Sequence, residues 1–331
     1  MPHPAPDLLN ATPARLAMDP NRLTPASYSL HSDYALRFSD LVDGQLSRVA
    51  VAHVFESLRS EVVDGLLGPA RRQGDPAEQR WHSLLRGVTL EFLAPVWGDV
   101  PITLAGVISA VGRSSHRSAM AVFQQGRCVA LGEATNVTID ASRRPAAIPA
   151  DVRDRLLTAL LPQAQAALPA TDPPALASVD AYPFSLVLPT RFSDTDAVGH
   201  LNNVSVLRCH DNALMAFQQV CQGRFTRWGE AGHWRVTRQV VAMSAENFYP
   251  HPLHLGLRVA AMTEGGFTLH QAMFQKGRCT GTAQADVVLV DAQGQAMALT
   301  PALVAQLQRW GGAPTGLDHA GAHGLALTTP A

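Results

Sequence analysis

Apolar residues recur at helical spacing in two separate stretches of the chain. In the first stretch these residues are Val51, Val54, Phe55, Leu58 and Val62. In the second stretch the spacing is kept by Leu207, His210, Leu214 and Phe217. Residues separated by three, four and seven positions share one face of a helix, so each stretch predicts a helix with a face to bury. We interpret His210, which lies within the second face, as a hydrogen-bonded core residue.

After each predicted helix the pattern changes to that of β-strands. Apolar-rich or alternating segments, separated by Gly and Pro, occupy residues 88–93, 102–104, 118–123 and 129–139, and later 253–260, 267–274 and 282–290. Such segments are typical of antiparallel meanders. The dipeptides Gln125-Gly126 and Lys276-Gly277 stand where a hairpin needs positive φ, which glycine adopts without steric cost.

An internal repeat fixes the architecture. The tetrapeptide RFSD occupies residues 37–40 and 191–194, and the related hexapeptides FQQGRC and FQKGRC occupy 123–128 and 274–279. The displacements are 154 (191 − 37) and 151 (274 − 123) positions, so both order and spacing are kept. The sequence therefore predicts an α+β protein in which an antiparallel sheet curls around a long helix, twice over.

The repeat also sets the expected domain boundaries. The two copies span residues 27–150 and 180–310, and the segment 151–179 combines a predicted helix with a proline-containing linker. The proline-rich start, 1–26, and the Gly-, Ala- and Thr-rich end, 311–331, are expected to be poorly ordered.

Charge narrows the range of partners. The chain has 26 basic and 27 acidic residues and a formal net charge of −1. This balance provides no polybasic surface, so neither nucleic acid nor an anionic membrane is an expected partner. Lys276 is the single lysine, which makes Schiff-base chemistry improbable.

Hydropathy and cysteine spacing indicate the compartment. No apolar run reaches the roughly 18 residues of a membrane-spanning helix, and the first residues lack the apolar stretch of a signal peptide. The four cysteines are far apart and form no CxxC pair, which suits neither a zinc site nor a dense disulfide framework. We therefore expect a soluble, cytoplasmic protein with reduced thiols and no metal or redox cofactor.

The densest set of chemical groups lies at residues 191–203, RFSDTDAVGHLNN. This string resembles the signature of hotdog-fold acyl-CoA thioesterases of the 4-hydroxybenzoyl-CoA thioesterase type: a strand, a D-x-D, a glycine, then H-x-N-N opening the central helix. The resemblance extends to the strand pattern and the GRC hairpins, over about 27–150 and 180–300. It implies two tandem hotdog domains and thioester hydrolysis.

Thioester hydrolysis needs a base or nucleophile and a donor for the developing oxyanion. The resemblance assigns the first role to Asp196 and the second to the backbone N–H near Asn203, and the first N–H groups of a helix indeed lack partners within the helix. His200 and Asn202 would orient the acid, the water or the substrate. Gly199 permits a close approach of the chain to the substrate.

Structural roles stay open for the same residues. Asp196 can be a loop or helix-cap acid, and Asn202 and Asn203 are good capping residues. His200 can be a hydrogen-bonded loop histidine.

The first copy lacks most of this chemistry. When Gly44 is aligned with Gly199, no acid of the first copy matches Asp196, and Gln45 stands in place of the histidine. We therefore predict that the first loop is inactive, which leaves one working site per chain. Glu56 on the first helix either reaches a shared interface or is a solvated or paired surface acid.

The first copy instead carries Arg113-Ser114-Ser115 after a glycine, similar to a segment near the CoA arm in many relatives. Since sites in this fold lie between two hotdogs, a composite site is expected, with Asp196 from one copy and these three residues from the other. Arg113 can pair with phosphate and the hydroxyls with pantetheine amides. A structural turn rich in Ser and Gly is the alternative.

Together these observations predict hydrolysis of acyl-CoA to free acid and CoA. The alternatives are a thioesterase for acyl carrier protein, which carries the same phosphopantetheine, and a non-catalytic acyl-CoA-binding hotdog protein. Two hotdogs in one chain already form the minimal pair, so either a monomeric pseudo-dimer or a homo-oligomer is expected.

Overall fold

The computed structural model of the protein describes residues 15–67, 82–160, 173–196 and 199–311. The first copy contains β1 (Leu30–Tyr34), β2 (Leu41–Val42), β3 (Gln45–Leu46), α1 (Arg48–Leu67), β4 (His82–Phe92), β5 (Ile102–Val111), β6 (Ser115–Gln124) and β7 (Arg127–Ile139). Helix α2 (Ala150–Thr158) follows. The second copy contains β8 (Phe184–Leu188), α3 (Asn203–Gln222), β9 (His233–Met243), β10 (Leu253–Met262), β11 (Gly266–Gln275), β12 (Arg278–Val290) and α4 (Pro301–Arg309).

Ten of these strands form one antiparallel sheet. Its strand order is β1-β5-β6-β7-β4-β9-β12-β11-β10-β8. The strands of the second copy thus have the same order as those of the first, reversed about the β4–β9 pair. The two copies meet where β4 pairs with β9, in a register that runs from Gly87 opposite Ala242 to Glu91 opposite Arg238. The predicted α+β class is confirmed, and the two predicted sheets are joined edge to edge.

Each long helix buries the face that its periodicity predicts. Helix α1 packs on β5, β6 and β7, and α3 packs on β8, β10 and α4. In the second copy, Phe217 of α3 is the centre of an aromatic cluster, with ring centroids 5.3 Å from Phe184, 6.0 Å from Trp234 and 5.9 Å from Trp310. None of the helices in the described part of the chain is long and apolar enough to cross a bilayer.

The two helices also contact each other. The guanidinium of Arg48 on α1 lies 2.5 Å (Nη2) and 2.6 Å (Nε) from Oδ1 of Asp211 on α3. This half-buried ion pair links the copies on the helical side, as the β4–β9 pairing links them within the sheet.

Both predicted hairpins have the expected backbone. Gln125 and Gly126 have φ of 52° and 76°, and Lys276 and Gly277 have 51° and 75°. Two successive positive φ angles are the mark of a type I′ turn, whose twist matches that of the strands it joins.

The expectation of disorder up to residue 26 is wrong for the described residues of that segment. Leu16 is only 2% exposed, and its N–H donates to buried Glu91 at 2.7 Å. Arg22 forms an ion pair with buried Glu133. The segment is held because a buried carboxylate is costly unless it is paired, and proline-rich composition gives no indication of such partners. Residues 1–14 lie outside the described range.

Three further details differ from the sequence prediction or lie beyond it. Strand β9 and helix α4 were not predicted. Helix α2 ends at Thr158, whereas the sequence predicted a helix over residues 151–168. The linker around residue 170 and the tail from residue 312 onward fall outside the described residues, so those expectations stay predictions.

The aromatic cluster yields a stability prediction. Phe217→Ala should lower the free energy of unfolding by about 3–5 kcal/mol, because it leaves a cavity under α3. Phe225→Ala is a matched control, since Phe225 is 56% exposed and its loss should cost less than about 0.5 kcal/mol. Urea denaturation of both variants measures the difference, and equal losses would contradict the central position of Phe217.

Candidate functional site

The start of α3 is organised by Asn202. Its Oδ1 accepts a hydrogen bond from the N–H of Ser205 at 2.7 Å, and its own N–H donates to the carbonyl of Asp194 at 2.9 Å. Asn202 is therefore the N-cap of the helix, and the structure does not place it among the residues that line the cleft described below. The capping alternative describes Asn202 better than substrate contact.

The loop before the helix is tightly turned. The N–H of Asp196 donates to the carbonyl of His200 at 2.9 Å, and the N–H of Gly199 donates back to the carbonyl of Asp196 at 3.1 Å. Gly199 has φ of 87° and open space around it. Glycine is favoured here because side chains disfavour positive φ, which is a different reason from the predicted close approach to substrate.

His200 lies between two carboxylates. Its Nδ1 is 2.9 Å from Oδ2 of Asp196, and its Nε2 is 3.3 Å from Oε1 of Glu246. The side chains of His200, Asp196 and Glu246 are 13%, 30% and 21% exposed, so all three are partly shielded from water. Such a histidine can fix the orientation of an acid or serve as a hydrogen-bonded loop residue, and the orienting role of His200 stays a prediction.

A cleft of about 830 Å³ opens beside this group, between the two copies. From the second copy it is lined, among others, by Asp196, His200, Asn203 and Glu246. From the first copy its polar lining includes Glu56, Arg59, Arg86 and Arg143. The structure thus brings the three predicted catalytic residues to one cavity and gives that cavity a wall from each copy.

Asn203 lines the cleft. It also lines a narrow apolar recess of about 20 Å³ between α1 and the sheet, together with Phe55, Leu85 and Met120. As the first residue of α3, Asn203 carries a backbone N–H that precedes the first intrahelical bond, from Val206 N–H to the Asn202 carbonyl. Its side-chain amide donates to Glu56 at 3.2 Å.

The expected contribution of Arg113, Ser114 and Ser115 does not match their position. They form the β5–β6 turn, where the carbonyls of Arg113 and Ser114 accept hydrogen bonds from Ile148 (2.8 Å) and Thr138 (2.8 Å). The structure does not place these three residues among those lining the cleft. The cleft does have a wall from each copy, but other residues of the first copy form it. The sequence did not indicate these residues, because their contacts are long-range and leave no local pattern.

Glu56 was left with two interpretations, and it fulfils both. It pairs with Arg59 at 2.5 Å on the same helix and reaches Asn203 of the other copy. Glu246 and Arg143, in contrast, were missed. The only signal for Arg143 in the sequence is its place in the repeat, opposite a glycine.

The loop of the first copy is built differently. Ser47 accepts a hydrogen bond from the N–H of Ala50 at 3.1 Å at the start of α1, and Arg48 is engaged with Asp211. Asp43, the nearest acid, lies 4.0 Å from Arg227. No residue of this loop reproduces the pairing of Asp196 with His200 in the described residues.

Cysteine chemistry is disfavoured by burial. All four cysteines are free thiols. Burial raises the pKa of Cys209, on α3, to about 11 and that of Cys221 to about 12. Since the thiolate is the reactive form, these groups are poor nucleophiles at neutral pH. Within the described residues, no three His, Cys, Asp or Glu side chains cluster in a way that would hold a metal ion.

His210 is a core residue, as predicted. It is fully buried, and its Nδ1 lies 3.0 Å from Oε1 of Gln271, which is also fully buried. Burial lowers the pKa of His210 to about 4. The equivalent positions of the first copy, 55 (210 − 155) and 120 (271 − 151), hold Phe55 and Met120. The second copy therefore has a polar pair where the first has an apolar one.

Comparison with known proteins gives a family match for the second copy. Residues 190–308 match the thioesterase-like superfamily. No curated protein matches the chain significantly by sequence. These residues include the loop with Asp196 and His200 and nearly all of the second copy, so the predicted resemblance to thioesterases is confirmed for the second copy.

Solved structures match over both copies. A Lactobacillus plantarum protein assigned as an oleoyl thioesterase is 11% identical, with a TM-score of 0.65 over 80% of this chain and 96% of its own. The 12:0-ACP thioesterase of Umbellularia californica is 16% identical, with a TM-score of 0.63 over 79% of this chain and 97% of its own. An acyl-ACP thioesterase of Bacteroides thetaiotaomicron is 15% identical, with a TM-score of 0.58 over 78% of this chain and 97% of its own. At these identities the matches show the fold, and they confirm the tandem hotdog architecture.

The buried histidine yields a pH prediction. Its pKa is about 4 in the folded protein and about 6.5 in an unfolded chain, so the unfolded chain binds the proton more tightly. Stability should therefore fall as pH drops from about 6.5 toward 4, by up to about 3 kcal/mol from this group.

The first copy supplies the variant for this test. Replacing the polar pair by the apolar one, His210→Phe with Gln271→Met, should remove that part of the pH dependence. Urea denaturation at pH 7 and at pH 4 compares the two proteins. An identical loss of stability in both would show that His210 does not contribute it.

Proposed function

We propose that this chain, whose second copy belongs to the thioesterase-like superfamily and whose two copies form a tandem hotdog fold, hydrolyses acyl-CoA to free acid and CoA. The observation that carries the proposal is the pairing of Asp196 with His200 at 2.9 Å, in a cleft that also contains the start of α3. A carboxylate oriented in this way can act on a substrate bound beside the helix start.

Asp196 supplies the attacking group. Its carboxylate either removes a proton from water that attacks the thioester carbonyl, or attacks the carbonyl itself to form a mixed anhydride that water then cleaves. In both routes the C–S bond breaks and CoA leaves as a thiolate that takes up a proton. His200 holds the carboxylate in place through Nδ1.

The start of α3 supplies the electrophilic assistance. The N–H of Asn203 has no partner within the helix and belongs to a residue that lines the cleft. A backbone N–H at a helix N-terminus stabilises a developing oxyanion without reorganisation, since both its direction and the helix dipole favour negative charge. The proposed hydrolysis uses water and requires no metal or redox cofactor.

The wall from the first copy gives a reason to propose CoA as the carrier. Arg86 of β4 lines the cleft, and a guanidinium binds phosphate groups with charge-assisted hydrogen bonds. The phosphates of CoA would thus be held by the copy that lacks the catalytic acid.

Replacing the acid tests the assignment. Asp196→Asn should lower kcat for acyl-CoA hydrolysis by roughly a hundredfold or more, the usual contribution of a positioned base. Asp43→Asn is the matched control, because it changes the nearest acid of the equivalent loop in the first copy and should leave kcat unchanged. Release of the CoA thiol measures both. Equal rates in wild type and Asp196→Asn would show that the site is misassigned, and binding of acyl-CoA without turnover would indicate a scaffold protein.

Acyl carrier protein is the second candidate carrier. The tandem structures that resemble this chain include two named as ACP thioesterases, and both carriers present the same phosphopantetheine thioester.

A set of substrates with one acyl chain separates the carriers. If CoA is the natural carrier, KM should be lower for acyl-CoA than for acyl-pantetheine, which lacks the nucleotide phosphates, and kcat/KM for acyl-ACP should not exceed that for acyl-CoA. A kcat/KM for acyl-ACP at least roughly tenfold above that for acyl-CoA, about 1.4 kcal/mol, would replace CoA by ACP in the proposal.

A further inference from the structure

Each copy has a turn at the same place, directly after its last strand. Residues 140–144 follow β7, and residues 291–295 follow β12, with a displacement of 151 (291 − 140). In both turns the aspartate carboxylate accepts two backbone N–H groups, at 2.8 and 3.0 Å for Asp140 and at 2.9 and 2.8 Å for Asp291. The two turns are therefore built by the same local interactions.

The two turns differ in sequence at their last three residues, and the fourth residue is the one with a positive φ. Gly294 has φ of 77° in the second copy, whereas Arg143 has φ of 61° in the first. Glycine adopts positive φ freely, and a long side chain does so only at a cost. Gln125 and Lys276 also have positive φ, so Arg143 is distinguished by the interaction that its side chain makes.

The side chain of Arg143 provides that interaction across the cleft. Its guanidinium donates to the carboxylate of Glu246, which belongs to the second copy. The same Oε1 of Glu246 is 3.3 Å from Nε2 of His200, and Nδ1 of His200 is 2.9 Å from Asp196. A series of close side-chain contacts thus runs from Arg143 of the first copy through Glu246 and His200 to the proposed catalytic acid.

Stability alone does not explain this pair. The side chain of Arg143 is 54% exposed, and exposed ion pairs contribute little to folding because solvent screens them. A strained backbone position for a weakly stabilising contact is typical of a residue kept for function.

We propose that Arg143 is a positioning residue, by which the first copy holds Glu246 against His200 and so fixes the orientation of Asp196 in the second copy. The inference rests on the proposed function. The first copy is then a required part of the working site even though its own loop has no catalytic acid.

Glu246 needs such a partner because its side chain is 21% exposed to solvent. On this proposal, the carboxylate of Glu246 rotates toward solvent when Arg143 is removed, and Nε2 of His200 loses its 3.3 Å contact with Oε1. The imidazole would then no longer fix Asp196 in one position. Attack geometry is sensitive to displacements of about 1 Å, so the expected defect is in kcat.

The experiment replaces Arg143 by the residue of the other copy. Arg143→Gly should lower kcat roughly tenfold or more, leave KM within about twofold, and keep or raise Tm, because glycine relieves the positive φ. Loss of activity together with equal or greater thermal stability cannot come from local unfolding. Arg143→Lys, which keeps the charge, should recover part of the lost kcat.

Two further variants complete the test. Arg144→Gln, which introduces the residue found at the equivalent position 295, removes the adjacent positive charge and should leave kcat unchanged. In a Glu246→Ala background, Arg143→Gly should have no additional effect on kcat, since the two residues act through one contact.

The outcomes distinguish this inference from the proposed function. If Asp196→Asn abolishes turnover while Arg143→Gly keeps kcat within about twofold of wild type, the positioning role is wrong and the proposed function stands. If Arg143→Gly raises KM and leaves kcat unchanged, Arg143 contacts the substrate, and the positioning role is again wrong. If wild type and Asp196→Asn are equally active, the proposed function itself fails.

Discussion

The antiparallel pairing of β4 with β9 is the constraint on which the site depends. It joins two five-stranded sheets into one and thereby fixes the distance between α1 and α3. Close approach at this seam is helped by Gly87, where an added Cβ would lie 3.0 Å from the carbonyl oxygen of Val241. With the seam in place, Glu56 meets Asn203 and Arg143 meets Glu246. Without it, the loop of Asp196 would have no opposite wall.

The seam also contains a buried charge, which explains why the N-terminal segment is ordered against the sheet. Glu91 of β4 is 1% exposed and lies 3.8 Å from Arg238 on the neighbouring strand. One cation is not enough for a carboxylate that has lost its water, and the N–H groups of Leu16 and Ala17 complete its hydrogen bonds at 2.7 and 3.1 Å. A segment whose composition suggests disorder is thus ordered by the electrostatic needs of the sheet that it covers.

This explains which features were predictable from the sequence. The repeat predicted the architecture because order and spacing can be read directly along the sequence, and the hairpins at Gln125-Gly126 and Lys276-Gly277 followed from backbone sterics. The loop with Asp196 and His200 was found because its residues are neighbours in sequence. Glu246 and Arg143 were missed because they meet across 103 positions, and β9 was missed because its alternation is broken by a bulge near Thr237. The segment 113–115 was misplaced because a turn rich in Ser and Gly has the same composition whether it binds a ligand or holds strands.

The asymmetry between the copies is more than decay of the first one. Simple loss of function would remove the acid. Each remaining position could then change to the residue with the lowest conformational energy in its backbone conformation. At position 143 the opposite is found, because an arginine occupies a left-handed position where the other copy has Gly294. At positions 55 and 120 the first copy has an apolar pair, and the second keeps the costlier His210 and Gln271. Each copy therefore contains a different locally unfavourable feature: a buried polar pair in the second copy, and an arginine at positive φ beside the cleft in the first. The proposed division of labour, in which the second copy supplies the acid and the first copy supplies the wall that orients it, accounts for the arginine at position 143.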